Sequence, residues 1–208
     1  MFLILMMLLA PQDAPVAAPA LLEPDVVVAE QAVTAPVILP VVTVRPVKTN
    51  SEAGMVVGHT GPVIVEVDVQ PDGTKGAVVV AETSRSDILD AEAVSMITDA
   101  TLRPPATASR YRIEVVFEPY NFLEMTCRSF ALQARWFQQT WPEKSVKDTT
   151  LYTASVGIVS LAAMGRNAGT DAVLRGARQM EATWPRLITE CERQPNRPYA
   201  QVLGRLLG

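Results

Sequence analysis

Few residues in this sequence could carry out acid–base, nucleophilic or metal chemistry. The chain contains one histidine, His59, and two cysteines, Cys127 and Cys191. Neither a histidine-based triad nor a histidine cluster for zinc can be assembled from such a chain. We therefore predict that His59 is a solvated loop residue, that the protein is not an enzyme, and that it uses no cofactor or metal.

Two other groups of residues could suggest a site. Asp87, Asp90 and Glu92 resemble a carboxylate cluster, but acids at a helix N-terminus are favoured by the helix dipole alone. The tryptophans could line a groove, although core packing also explains them; they are Trp136, Trp141 and Trp184. The chain has no glycine-rich phosphate loop, and its net charge of −4 argues against nucleic-acid binding, which needs clustered lysine and arginine.

The middle of the chain has the pattern of a small α+β module. Residues 63–69 alternate valine with other residues, which predicts a strand with one buried face, and Pro71-Asp72-Gly73 predicts a turn into a second strand over 76–80. Apolar residues at helical spacing predict a helix from Asp87 that ends before Pro104-Pro105. A third alternating run, 111–119, completes the order strand, strand, helix, strand.

After residue 119 the apolar period changes from two to about 3.6, which marks a domain boundary near residue 120. Four helices are predicted in this tail, the last of them beginning at Pro198. The fold class is therefore α+β, with a small β-β-α-β domain over 55–120 followed by an all-α four-helix domain over 121–208.

The N-terminal part has a different composition. Its first ten residues are apolar but too few to span a bilayer, and Ala18-Pro19-Ala20 fits a cleavage site, so residues 1–20 are interpreted as a signal peptide. A membrane anchor and a mis-assigned start are the alternatives. Proline, alanine and valine dominate 21–54, which predicts an extended linker. Its stretch 32–46 is apolar enough to add to a sheet edge instead.

The two cysteines fall on the apolar faces of their predicted helices, 64 positions apart. If the signal-peptide interpretation holds, the protein is exported and Cys127 and Cys191 pair in a disulfide. The alternative is two unpaired cysteines in a cytosolic core.

Residues 61–119 resemble the C-terminal domain of TonB-type energy transducers. The resemblance rests on TGPVIVEVDVQPDGTKGAVVVAETS, the helix LDAEAVSMITDA, the RPP that follows it, and the strand RIEVVFEP. It implies a periplasmic domain whose sheet edge takes up an extended segment of an outer-membrane transporter by strand addition. The partner-binding edge implied by the resemblance consists of Arg112, Ile113, Glu114, Val115, Val116 and Phe117. The alternative is a closed edge with a purely structural role.

The sequence also departs from that family. Transducers of this type have a full membrane-spanning N-terminal helix and a long spacer with Lys-Pro and Glu-Pro repeats, whereas this chain has a short apolar start, a spacer of roughly 40 residues and a helical tail. We therefore expect an exported binding or adaptor protein of the periplasm, with inner-membrane anchoring through its N-terminus as the alternative.

The tail resembles the small periplasmic acid-stress chaperone HdeA and its relatives more weakly. The shared features are MTCRSF at the start of the first tail helix, Cys191 and Pro195 near the end of the third, and a short closing helix. This resemblance implies that Cys127 and Cys191 are the matching disulfide pair. It also implies an alternative function, a chaperone-like protein that acts through the helical domain.

Overall fold

The computed structural model describes residues 38–119, 121–165 and 170–207, with side chains described for all of these except 163–165 and 170–177. Five strands and six α-helices follow one another in this part of the chain. They are β1 (Val41–Thr43), β2 (Val47–Thr49), α1 (Glu52–Val57), β3 (Gly61–Val69), β4 (Val79–Glu82), α2 (Asp87–Asp99), β5 (Ser109–Phe117), α3 (Cys127–Thr140), α4 (Thr150–Gly165), α5 (Thr170–Arg193) and α6 (Tyr199–Leu207).

One mixed sheet contains all five strands. Its order is β1-β5-β3-β4, and β2 also pairs with β5, beyond β1 on the same side. β3 and β5 are antiparallel and in register from Gly61 opposite Phe117 to Val69 opposite Ser109. β4 is antiparallel to β3, while β1 and β2 run parallel to β5.

The alternation of buried residues in β3 and β5 builds the first core. Every second side chain points to one face of the sheet, where α2 covers it with Leu89, Ala93 and Ile97, which lie four residues apart on one side of the helix. Ser86 caps α2 because its side chain accepts a hydrogen bond from the Leu89 amide. The strand residues in this core are Val63, Val65, Val67, Val69, Tyr111, Ile113, Val115 and Phe117.

The four helices of the tail surround a second, separate core. Phe130 is fully buried at its centre, stacked on Tyr199 with 5.0 Å between ring centroids and edge-on to Trp184 at 5.2 Å. The ends of the unit are joined by backbone bonds, since the Cys127 amide donates to the Arg197 carbonyl at 2.7 Å. The α+β fold class with a helical C-terminal part is thus confirmed.

The second strand of the predicted hairpin begins later than expected. β4 starts at Val79 rather than at residue 76. The physical reason lies in Lys75, whose ammonium group donates to carbonyls at the C-terminal end of α2, among them Ile97 at 3.2 Å and Ala100 at 2.6 Å. A cation is favoured there by the helix dipole, and it ties this segment to α2.

The predicted linker over 21–54 must be corrected for its last part. Residues 41–43 and 47–49 are strands of the sheet, and α1 begins at Glu52, capped by Ser51. The alternative given for residues 32–46, addition to a sheet edge, agrees with the position of β1. The predicted signal peptide over 1–20 and the linker residues 21–37 lie outside the described residues. Within the described ranges, no helix combines the length and the apolar character needed to cross a membrane.

Candidate partner-binding surface

The predicted binding edge is the side of β5 that faces away from β3. Three backbone bonds show which groups point that way: the Arg110 amide donates to Pro40, the Arg112 carbonyl accepts from Val44, and the Glu118 amide donates to Thr49. Because backbone groups alternate along a strand, the amides of Glu114 and Val116 point to this side as well. The odd-numbered amides of β5 point to β3.

This side of β5 already holds a strand from the same chain. Val41–Thr43 and Val47–Thr49 pair with it in parallel, Thr43 opposite Arg112 and Val47 opposite Val115. Between these two pairs, three residues of the segment stand opposite only two of β5, which is the geometry of a β-bulge. Pro46 lies in this bulge, where its missing amide leaves no ladder bond unmade. We call residues 41–49 the edge segment.

The bulge decides which side chains of the edge segment reach the core. Val44 and Val47 both pack against the sheet core, although residues three apart in a regular strand would point to opposite faces. The rest of the segment is largely exposed, with Val41 at 61% and Val42 at 38%. Lys48 forms an ion pair with Glu118 at 2.8 Å, in which the lysine side chain is 67% exposed. The segment therefore buries little beyond two valines.

The six residues predicted for the edge thus fall into two sets. Ile113, Val115 and Phe117 have buried side chains in the sheet core, while the other three lie on the opposite face: Arg112, Glu114 and Val116. The expectation of an unoccupied edge is not met in this structure, because the edge segment covers it. Strand addition by a partner at these residues stays a prediction.

The face of the sheet opposite α2 carries ion pairs across β3 and β5. Arg110 makes two hydrogen bonds to Asp68, at 2.7 and 3.0 Å, and this partner lowers the pKa of the Asp68 carboxyl group. Arg112 bonds to Glu66 at 2.8 Å and also to Glu82 on β4. Since these pairs are substantially exposed, each contributes little to stability. They fix the register of the strands more than they stabilise the fold.

The other edge of the sheet is β4. Among the described strands it pairs with β3 alone, and its exposed side chains include Val79 at 53%. It is only four residues long, and its pairing is irregular opposite Ile64 and Val65. Short, irregular edge strands are a common protection against unwanted pairing. This edge is therefore a poorer template for strand addition than β5.

The loop between α1 and β3 contacts the helical tail. His59 stacks on Trp136 of α3 with 3.6 Å between ring centroids, and the Trp136 indole N–H donates to the Thr60 carbonyl at 3.3 Å. His59 Nδ1 lies 2.8 Å from the Ser86 hydroxyl. His59 lies in a loop as predicted, but its ring is half-buried rather than solvated, because a tryptophan 77 positions further along the chain stacks on it. Partial burial lowers the pKa of His59 below its ordinary value.

A second contact joins the loop before α2 to the end of α3. Arg85, which adopts a left-handed backbone with φ of 65°, places its guanidinium carbon 3.8 Å from the centroid of the Trp141 ring. It also donates to the Thr140 carbonyl and pairs with Glu143 at 3.2 Å. A cavity of about 210 Å³ opens beside these contacts, lined by residues that include Phe117, Phe137 and Trp184. Of the three tryptophans, only Trp184 is fully in a core.

The remaining candidate residues have structural roles. Cys127 and Cys191 are both fully buried and form the predicted disulfide between α3 and α5. Asp90 accepts hydrogen bonds from the Ser84 amide and hydroxyl at 2.9 and 2.7 Å, which fixes the entry into α2. No cluster that could hold a metal ion occurs among the described residues.

One family model matches the chain: residues 52–122 match the family described as Gram-negative bacterial TonB protein C-terminal. The predicted resemblance of this segment is thereby confirmed. Domains of this family interact with proteins such as outer-membrane transporters. Membership of the domain in this family suggests a protein of the cell envelope, and the family is not a family of enzymes. No curated protein and no solved structure matches the chain. The resemblance of the tail to HdeA stays a prediction.

Proposed function

We propose that this protein, with its TonB C-terminal-type domain over 52–122, is a periplasmic adaptor that binds an extended segment of an outer-membrane transporter by strand addition to β5. The partner's backbone pairs with the outward groups of β5, so that affinity comes from main-chain hydrogen bonds and specificity from alternate side chains. No catalytic residue is required for this function.

The observation that carries the proposal is the geometry of the outward side of β5. That side accepts a parallel strand in this structure, with good backbone bonds from Arg110 to Pro40 and from Glu118 to Thr49, each 2.9 Å long. The sheet core beneath it belongs to β3, β5 and α2, and the strand that is added contributes only Val44 and Val47 to it. An exchange of the added strand therefore leaves the core of the domain in place.

The proposal is tested by titrating the full chain with synthetic peptides copied from the periplasmic N-terminal segments of outer-membrane transporters of the same bacterium. A Glu114→Pro variant removes one outward amide while keeping the bonds of β5 to β3, so we expect binding to weaken about ten-fold or more, since one ladder bond and the local strand geometry are lost.

Glu114→Gln is the matched control, because it keeps the amide and changes only the charge of a half-buried side chain; binding should stay within roughly three-fold. Thermal unfolding verifies that both variants are folded. Equal binding by the proline variant and the wild type would refute strand addition at β5, and absence of binding by every transporter segment would refute the partner class.

A further inference from the structure

We propose that the edge segment, residues 41–49, is a built-in competitor for the partner site on β5, which a partner strand must displace. The inference rests on the proposed function, since it names the regulation of the same site. Three observations support it: the segment lies outside the matched domain, it makes few contacts with β5 and the core, and a short connection joins it to α1.

The edge segment is not part of the domain that matches the family model. The match begins at residue 52, whereas the segment ends at Thr49. The domain core is complete without it, because its fully buried residues all lie between 63 and 117. The segment thus lies outside the matched domain and occupies the proposed binding edge in the manner of a ligand.

The contacts of the segment are those of an exchangeable strand. It is divided into two three-residue runs by the bulge at Arg45-Pro46, so that neither run forms a long ladder. Most of its side chains remain exposed, and in its ion pair with Glu118 the Lys48 side chain is 67% exposed, while that of Glu118 is 19% exposed. Either run can separate from β5 without exposing the deep part of the core.

The short connection to α1 favours binding of the segment to β5 despite these few contacts. Only Asn50 and Ser51 separate Thr49 from the first residue of α1. A short tether gives an effective concentration on the order of 1 mM, so a segment whose separate peptide binds with a Kd on the order of 0.1 mM would weaken a competing partner roughly ten-fold. We therefore expect that the edge segment, bound to β5 of its own chain, raises the concentration of partner that is needed for binding.

The edge segment also indicates the chemistry of the partner strand. A competitor for the same groups must run parallel to β5 and present apolar side chains where Val44 and Val47 meet the core. Opposite Val116, where Lys48 now lies and forms an ion pair with Glu118, a basic residue is favoured. Proline is excluded at the positions whose amides face β5.

Two matched proline variants of the full chain test the inference. The Val42 amide faces β5, by alternation from Val44, whereas the Thr43 amide faces away. Val42→Pro should therefore release the edge segment, and Thr43→Pro should retain it, because proline is tolerated where the amide points outward. Both side chains are exposed, so the two changes differ mainly in the amide that is lost.

The probe is a fluorescein-labelled synthetic peptide of residues 38–50, ILPVVTVRPVKTN, followed by fluorescence anisotropy. We expect Val42→Pro to bind this peptide at least ten-fold more tightly than the wild type and Thr43→Pro do. A second variant, in which residues 41–49 are replaced by a Gly/Ser sequence of the same length, should behave like Val42→Pro and serves if the proline variant does not fold.

Equal binding by all variants, or no binding by the opened ones, would overturn the inference. The two proposals fail in different ways: if the opened variants bind the 38–50 peptide but no transporter segment, cis occupation stands and the proposed partner class is wrong.

Discussion

The disulfide between Cys127 and Cys191 gives a quantitative prediction about the helical domain. The bridge closes a loop of 64 residues that contains most of the second core. On the chain-entropy estimate, cross-linking a loop of this length stabilises the folded state by about 4 kcal/mol. A Cys127→Ala/Cys191→Ala variant should lose this amount, together with a smaller contribution from the lost sulfur packing, since both cysteines are fully buried.

Guanidinium denaturation followed by tryptophan fluorescence measures the loss in the helical domain, because all three tryptophans lie between residues 136 and 184. With a denaturant dependence of roughly 2–3 kcal/mol/M for a unit of this size, the midpoint should fall by roughly 1.5–2 M. Reducing agent should lower the midpoint of the wild type in the same way and leave the variant unchanged. The sheet core contains neither cysteine, so its transition, followed by hydrogen exchange of the β3 and β5 amides, should move much less.

A fluorescence midpoint that shifts by less than about 0.5 M on reduction would contradict this reasoning, because a 64-residue loop would then contribute little to the stability of the folded state. An equal shift of both transitions would contradict the division into two cores, and would mean that the contacts between the two halves couple their unfolding.

Two further predictions concern the contact between the halves. Gly58→Ala should destabilise the protein by more than about 1 kcal/mol, because the glycine has φ of +81° and an added Cβ would lie 2.5 Å from the Cβ of Leu132. Gly204→Ala is the control, since an added Cβ there meets no atom within 4 Å. This control variant should be neutral or stabilising in chemical denaturation. A loss no greater than that of the control would argue against the close approach. His59→Gln should reduce the pH dependence of stability. Burial holds the pKa of His59 in the folded protein below 6.5, so the unfolded chain takes up the proton first as the pH falls. The stability of the wild type should therefore fall as the pH drops from 7.5 to 5. Unfolding free energies at the two pH values measure this, and an identical pH dependence in the variant would show that the stack on Trp136 does not exclude the proton.

Local patterns in the sequence were sufficient for the long elements. β3 and β5 alternate strictly because one face of each is buried, and α2 carries its cap and its apolar spacing within a few residues of sequence. The resemblance identified from these elements was therefore correct for this part of the chain. The two cysteines could be paired because both lie on apolar helical faces.

Features that depend on distant residues could not be predicted in this way. The apolar character of residues 32–46 allowed a strand at a sheet edge, but two three-residue strands with mostly exposed side chains carry no periodic signal. The edge and the register are therefore defined only by the pairing with β5. His59 lies in a loop as predicted, but its partial burial could not be predicted, because Trp136, which stacks on its ring, is distant in sequence. The identity of a binding edge likewise depends on what the rest of the chain leaves uncovered.

Residue-resolved amide hydrogen exchange of the full chain, with and without the tightest-binding transporter segment, measures whether a partner strand displaces the edge segment from β5. We expect the amides of Val42 and Val44 to lose protection as the edge segment leaves β5. The amides of Glu114 and Val116 should gain or keep protection as the partner strand pairs with them. The amide of Val115, which bonds to β3, should be unchanged. Protection changes confined to β4 or to the helical domain, with the edge segment undisturbed, would contradict this displacement.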